Sequence, residues 1–411
     1  MSPRVVVVGA GAAGLMAAIT AREAGAEVTL VEGTAHGGRK ILISGGGRCN
    51  VLPGDAAPDR FVSAAPRTLV RAMLGAWPLR EQIAYFEDVL GVPLALEPDS
   101  GKRFPASDRA RDVHDALLNR AVALGVARRF GAAVRSIAPA GRGWRVTADD
   151  PIDADRVIVA TGGLSVPATG STGFGFDLAR SLGLTVHPTY PALTPLTASP
   201  HRHADLAGVS ATVAIAAARP GSRDGVVSRG GLLITHRGYS GPVVLDVSHV
   251  AVRSLLDDPP EARARLRVQW APLDAGGWTR WLGAQRGLVR TAVGRHLPQR
   301  LVDVLVAEAG VPPDRTCGQL RREERVALLS TLTEYDLPWS GHEGYRPAEV
   351  TGGGVALDEL HRRTLECRRA PGLHFCGEVL DAFGPIGGHN FHWAWSTGRS
   401  AGLGAARPLT P

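Results

Sequence analysis

Lysine is nearly absent from this chain. Only Lys40 and Lys102 occur, so the formal charge of +7 rests almost wholly on arginine. The arginines are spread along the sequence among Asp and Glu rather than gathered in one stripe, which argues against nucleic acid as the partner. Cysteine is scarce as well. Cys49, Cys317, Cys367 and Cys376 form no CxxC pair and show no metal-type spacing. That excludes a zinc ribbon or a disulfide scaffold and fits a reducing, cytoplasmic setting. His201 with His203, and His389 with His392, lack an acid or cysteine to complete a ligand set, so no metal is expected. Elsewhere no uninterrupted apolar run is long enough to span a bilayer, and no membrane role is expected. The N-terminal VVVVGAGAAGLMAAI could pass for a signal-peptide core, but its glycine spacing offers a better account. No internal repeat is evident.

What the chain has in excess is glycine, 51 of 411 residues, in a composition that is 44% hydrophobic. This is a globular protein with room for two or three domains. PRVVVVGAGAAGLMAAITAREAGAEVTLVEG reads as strand, turn, helix, strand. Val5 to Val8 form a buried parallel strand. Gly9 makes the turn, Gly11 admits a pyrophosphate, and Gly14 allows close helix–strand packing. The helix, expected from about Ala12 to Ala24, offers the amides around Ala12 and Ala13 to the phosphates. Glu32 ends the second strand, 18 residues after Gly14, where a carboxylate bonds a ribose hydroxyl. An acid there argues for FAD or NAD over NADP.

Two later segments favour FAD. DADRVIVATGG is a strand ending in Thr161, Gly162 and Gly163, after two probable strands, AVRSI (with Ala133 and Val134 on the nucleotide side) and GWRVTA. This meander is the layout of glutathione-reductase-type FAD domains. GLHFCGEVLDAFGPIGGHNFHWAWSTGRSAG reads as a short strand, Gly377-Glu378, a glycine turn and a helix. Glu378 is placed for the ribityl chain, with Asp381 beside it. The amides of Gly387, Gly388, His389, Asn390 and Phe391 would face the pyrimidine edge of the flavin, where a helix N-terminus favours developing negative charge.

GGRKILISGGGRCN, residues 37–50, is too polar for a core strand and too glycine-rich for a helix. Its position predicts a loop crossing the cofactor. Gly38, Arg39, Lys40, Ser44, Gly45, Gly46, Gly47, Arg48, Cys49 and Asn50 are its cofactor-lining candidates. Arg39, Lys40 and Arg48 supply charge for phosphates or a substrate acid. Cys49 could be a redox partner, though it lacks a resolving cysteine nearby. His389, Tyr239 and His236 are the candidate proton donors. GSTGFGFDLARSLG could receive phosphate, but it follows no clear strand, so NAD(P)H has no evident domain of its own.

GGRKILISGGGRCN, ATGGLSVPATGSTGFGFDLARSLG, LLITHRGYSGPVVLDVS, TGGGVALDEL and FCGEVLDAFGPIGGHNFHWAWSTGRSAG together resemble a bacterial family of HI-type conserved flavoproteins, also labelled aminoacetone-oxidase-like or bile-acid dehydro-reductase-like. The order of motifs matches over essentially the whole chain. The pattern departs at Val51-Leu52-Pro53, at His389 in the C-terminal turn and at Tyr239 in the middle motif. The resemblance implies an α/β fold: a split FAD-binding Rossmann domain with an inserted β-barrel-like domain carrying a small helical subdomain. Proline-rich HPTYPALTPL marks the insertion boundary. The expected layout is residues 1–190 and 347–411 for the FAD domain, 191–251 and 336–346 for the β-rich insert, and 252–335 for the helices. The expected activity is FAD-dependent reduction of an unsaturated carbonyl-like small molecule with electrons from NAD(P)H, by a monomer or homodimer. Oxidation of an amine by oxygen, or binding of RNA or a protein partner, are the alternatives.

Overall fold

In the computed structural model the residues described are 2–98, 100–221 and 225–408. The chain divides into two compact units, Met1–Thr189 with Val350–Pro411, and Tyr190–Glu349.

The first unit is built on β1 (Arg4–Val8), α1 (Ala12–Glu23) and β2 (Glu27–Glu32). β1 pairs in parallel with β2, Val5 opposite Val28 and Val8 opposite Val31. On its other side β1 pairs with the strand Arg156–Val159. That strand in turn pairs with Leu373–Phe375, and Ala127–Phe130 closes the far edge beside β2. The order of this five-stranded parallel sheet is set by burial: Val5 to Val8 and Val157 to Val159 are almost fully enclosed, as a strand covered on both faces must be. The strands Ser136–Ala140, Gly143–Thr147 and Pro151–Ala154 form the antiparallel meander. Its first strand begins three residues later than AVRSI implied, leaving Ala133 and Val134 in the approach to it.

α1 is buried from Ala13 to Ala21 on nearly every side. Its small residues permit this, because the C-terminal helix His389–Ala405 lies directly against it. A Cβ on Gly402 would lie 2.6 Å from the Ala17 carbonyl oxygen, and one on Gly398 would overlap the Ala13 carbonyl oxygen. Glycine on one helix and alanine on the other let the two backbones touch.

The second unit carries a seven-stranded antiparallel sheet ordered Tyr335–Asp336, Arg265–Gln269, Ser210–Ala218, Val226–Ile234, Gly238–Ser240, Leu196–Thr197, Gly341–His342. The helices Ala275–Gly283, Val289–Val293, Gln299–Glu308 and Arg322–Thr333 lie between its last strands in sequence. Two elements differ from the sequence reading. The stretch 252–335 is not all helical: RLRVQ, 265–269, alternates exposed and buried and pairs with Ser210–Ala218. Conversely, the supposedly β-rich 191–251 contains most of a 16-residue helix, Pro242–Asp257. The alternation of Arg with Leu and Val in RLRVQ is the period of two of a half-buried strand, overlooked within an arginine- and leucine-rich stretch.

Among the described residues no helix is long and apolar enough to cross a membrane.

Candidate functional site

The glycine turn after β1 divides its labour. Gly9 adopts φ +99°, and a Cβ there would strike the Ala160 carbonyl. A Cβ on Gly14 would overlap the Gly9 carbonyl oxygen and reach within 3.2 Å of the Ala160 methyl. These two glycines are filled by protein. Gly11 has nothing within 4 Å, and no side chain caps α1. Its first-turn amides therefore look onto open space, as a helix end that receives a diphosphate requires. Thr161 Oγ1 faces Gly175, whose Cβ would lie 2.6 Å from it, and among the described residues it has no hydrogen-bond partner.

Glu32 is held in place by two backbone N–H groups and by a hydroxyl that the His36 carbonyl oxygen also approaches at 2.8 Å. Ala10 N–H donates to Oε2 at 2.8 Å, while the Thr34 N–H and hydroxyl donate to Oε1, each at 2.8 Å. A Cβ on Gly33 would lie 3.6 Å from Ala133, so Ala133 stands beside the residue that follows the acid. Gly170 approaches from another loop; its Cβ would lie 2.9 Å from the Thr34 methyl. Thr34 and Gly170 carry no sequence signature of their own and were not anticipated. The open amides and the oriented acid fit the diphosphate and ribose of FAD.

Residues 37–50 fold differently from the expected loop. They form a short helix, α2 (Arg39–Ile43), then a 3₁₀ turn, Ser44–Gly47, with Gly45, Gly46 and Gly47 all at positive φ. Gly38 (φ +70°) lets the chain pass His114, whose Nε2 lies 2.9 Å from the Gly37 carbonyl oxygen. Lys40 Nζ reaches Glu378 Oε2 at 2.6 Å and Ser165 Oγ at 2.5 Å. Glu378 Oε1 accepts from the Ser165 hydroxyl and from Thr351 N–H at 3.0 Å. Thr351 Oγ1 accepts from Leu164 N–H at 2.7 Å and Ser165 N–H at 3.1 Å. Sequence reading assigned Lys40 to phosphate and Glu378 to the ribityl chain. The structure ties them to each other across a half-buried cluster that also needs Gly163, whose Cβ would sit 2.8 Å from Glu378 Oε1. Ser165 and Thr351 were missed because single hydroxyls have no pattern.

Several candidates are spent on the fold. Arg48 bonds Asp108 (2.9 Å) and Glu97 (3.3 Å), with its guanidinium 3.9 Å from the Phe104 ring, so it is not a free phosphate ligand. Arg39 and Ser44 are accessible, and Ser44 Oγ donates to the Ile41 carbonyl. Cys49 is fully buried, and burial pushes its thiol up to about 12. It is a packing residue, not a thiolate. With its amide oxygen turned to Gly388 N–H (3.1 Å) and its nitrogen to the Leu52 carbonyl (3.3 Å), Asn50 clamps the start of the C-terminal helix. Gly388 (φ +89°) is pressed against Leu52 and Pro53. Asn390 closes the turn before it, accepting from Gly384 N–H (2.9 Å) and donating to the Gly384 carbonyl (3.0 Å). Asp381 Oδ2 accepts from Ala64 N–H at 2.8 Å. Phe391 stacks on Trp395, rings 5.4 Å apart. Gly387 lies 3.7 Å from the Lys102 chain, if given a Cβ.

The proposed proton donors fare unequally. His389 is buried beside Phe61, and burial, with Arg60 nearby, drives its pKa down to about 3. It is neutral at pH 7, not an imidazolium acid. Tyr239 is fully buried in the second unit. Its hydroxyl lies 3.0 Å from His203 Nδ1, and burial raises its pKa. His203 Nε2 lies 3.0 Å from the Tyr335 hydroxyl. His236 is exposed in a turn.

Comparison with known proteins fits this site. Residues 3–404 match the HI0933-like protein Rossmann domain family. The chain is 34% identical to the ribosomal RNA dihydrouridine synthase of Escherichia coli, over 95% of each chain. It is 31% identical to the 3-dehydro-bile acid delta(4,6)-reductase of Clostridium scindens, over 98% of this chain and 99% of that one. The solved 3-ketosteroid delta1-dehydrogenase of Sterolibacterium denitrificans shares the fold at TM-score 0.54 and 12% identity, covering 98% of this chain and 100% of that chain. The chain belongs to the HI0933-like Rossmann family and is an FAD-dependent oxidoreductase within it.

Proposed function

We propose that the protein saturates a carbon–carbon double bond conjugated to a carbonyl, and that its substrate is a uridine of ribosomal RNA. The observation that carries this is the near full-length similarity to ribosomal RNA dihydrouridine synthases, 34% and 30% identical over at least 95% of each chain. Dihydrouridine is uridine reduced across C5=C6, a bond conjugated to the C4 carbonyl. A delta(4,6)-reductase of a 3-dehydro-bile acid acts on the same kind of bond in a steroid frame. One chemistry therefore accounts for both relatives.

When bound, FAD supplies the hydride, drawn in this reading from NAD(P)H. The chain supplies position. The amides of Gly11 to Gly14 and the α1 dipole hold the diphosphate, and Glu32, fixed by Ala10 and Thr34, takes the ribose. Lys40, Ser165 and Thr351 hold the Glu378 carboxylate through both of its oxygens. The N-terminus of the helix His389–Ala405, clamped by Asn50, lends positive potential to the flavin end. His389, neutral at pH 7, adds no charge of its own there.

The test is expression in a strain lacking its own ribosomal RNA dihydrouridine synthase, with the RNA digested to nucleosides and weighed. Dihydrouridine restored, and lost in the Glu32→Ala variant, supports the reading. Unmodified RNA, with NAD(P)H-driven reduction of a 3-oxo-4,6-diene steroid acid by the same preparation, would replace it with a small-molecule reductase, the reading favoured by the bile-acid relative.

A further inference from the structure

One stretch of the second unit departs from the even spread of charge noted in the sequence. Residues 275–302 contain five arginines and no Asp or Glu. They fold as the helices Ala275–Gly283 and Val289–Val293 and the start of Gln299–Glu308. Arg280, Arg286, Arg290, Arg295 and Arg300 are all exposed. Among the described residues none of them meets a carboxylate, whereas Arg4, Arg145 and Arg315, for example, each have one within 3.1 Å. Arg300 donates only to a backbone carbonyl, that of Asp205.

This segment is firmly held. Trp281 Nε1 donates to the Ala292 carbonyl at 3.0 Å, joining the first two helices. Val289 N–H donates to Arg315 O, and Cys317 N–H to Gly287 O, both at 2.9 Å. The Arg295 guanidinium lies 5.9 Å from the half-exposed Trp281 ring, and His296 meets the same ring edge-on at 4.7 Å. Unneutralised guanidinium groups on a rigid frame, with one accessible indole, suit a phosphodiester chain whose bases can stack. A protein partner would want an apolar anchor. The large apolar residues exposed in this unit, such as Val227, Leu256 and Val326, lie outside the segment.

We propose that this arginine-rich segment binds the phosphate backbone of RNA; the proposal rests on the reading of a ribosomal RNA uridine as substrate. Five contacts at about 0.7–0.9 each give a slope of log affinity against log salt near −4.

The experiment uses the full flavin-loaded chain, labelled deproteinised ribosomal RNA fragments, and two variants, R286Q/R290Q/R295Q and R286K/R290K/R295K. The glutamine variant should bind on the order of 100-fold more weakly at 0.15 M salt, with a slope shallower by about 2–3. The lysine variant should keep most of the affinity, and flavin bleaching by NAD(P)H should match wild type in both. A glutamine variant with wild-type affinity and slope overturns the proposal, and so does wild-type binding that ignores salt, which needs no variant to fold. Unchanged affinity for bare RNA, with loss of co-sedimentation with intact ribosomal subunits, assigns the segment to a protein and also overturns it. The nucleoside assay is scored separately. Dihydrouridine made without arginine-dependent RNA binding removes the segment's role and leaves the function; arginine-dependent binding without dihydrouridine does the reverse.

Discussion

Replacing Gly398 by alanine puts a methyl group where α1 and the C-terminal helix touch. An ideal Cβ there overlaps the Ala13 carbonyl oxygen and lies 3.2 Å from both the Ala13 carbonyl carbon and Cα. None of these atoms is a side chain that can swing aside, so one helix must move. Overpacking of this kind costs about 1–3 kcal/mol. Against it stands a gain of about 1 kcal/mol for removing glycine from a helix interior. The net expectation is a loss of up to about 2 kcal/mol, which at roughly 2–4 °C per kcal/mol for a unit of this size lowers Tm by up to about 4–8 °C. Gly402→Ala meets the same obstacle more mildly, 2.6 Å from the Ala17 oxygen and 3.0 Å from Ala21 N. Because one separation of the helices relieves both clashes, the double variant should lose less than the sum of the singles. Ala13 lies in the first turn of α1, so the shift also moves the amides that receive the diphosphate. FAD affinity should fall about tenfold, near 1.4 kcal/mol. Thermal unfolding and a flavin-fluorescence titration measure the two effects. Gly283→Ala, at a helical position with nothing within 4 Å, is the control and should change little. A Gly398→Ala protein as stable as wild type, with unchanged FAD affinity, would refute the close approach.

Glu32→Ala removes the acceptor for Ala10 and Thr34 as well as for the ribose, and FAD affinity should fall about 10- to 100-fold by the same titration, from lost charge-assisted bonds of about 1.5–3 kcal/mol. Cys49→Ala should keep activity and flavin content, and in the native wild type Cys49 should resist a thiol reagent at pH 8, since its thiol is pushed up to about 12; fast labelling at Cys49 contradicts that burial. Lys40→Met breaks the pair with Glu378 and leaves a carboxylate bonded only to Ser165 and Thr351, so flavin retention on gel filtration should drop, while Lys40→Arg restores part of it. Burial depresses His389 to about 3 and His392 to about 4 from an ordinary 6.5. The unfolded chain therefore binds protons that the folded one refuses, and stability falls as pH drops below about 6.5, by about 1–2 kcal/mol for each histidine by pH 5. Urea midpoints that stay level from pH 7 to pH 5 would show those rings to be accessible.

The sequence by itself determined the dinucleotide frame. A strand, three spaced glycines and an acid are local features, because their spacing is dictated by one turn and one helix, and the structure places Gly9, Gly11, Gly14 and Glu32 accordingly. The same locality gave the meander and the C-terminal glycine turn. Which polar side chains stay available for a ligand was decided only in three dimensions. Arg48 and Lys40 look alike in sequence, yet one is neutralised by Asp108 and Glu97, and the other is drawn to Glu378, 338 residues away. Asn50 looked like a flavin ligand and is a clamp on Gly388; Cys49, a redox candidate with no resolving cysteine nearby, is sealed from water. Hydrogen bonds and desolvation act over a few ångströms of space, irrespective of distance along the chain. Local pattern therefore specifies the backbone cradle, while the charge, protonation and freedom of each side chain around it follow from neighbours that only folding supplies.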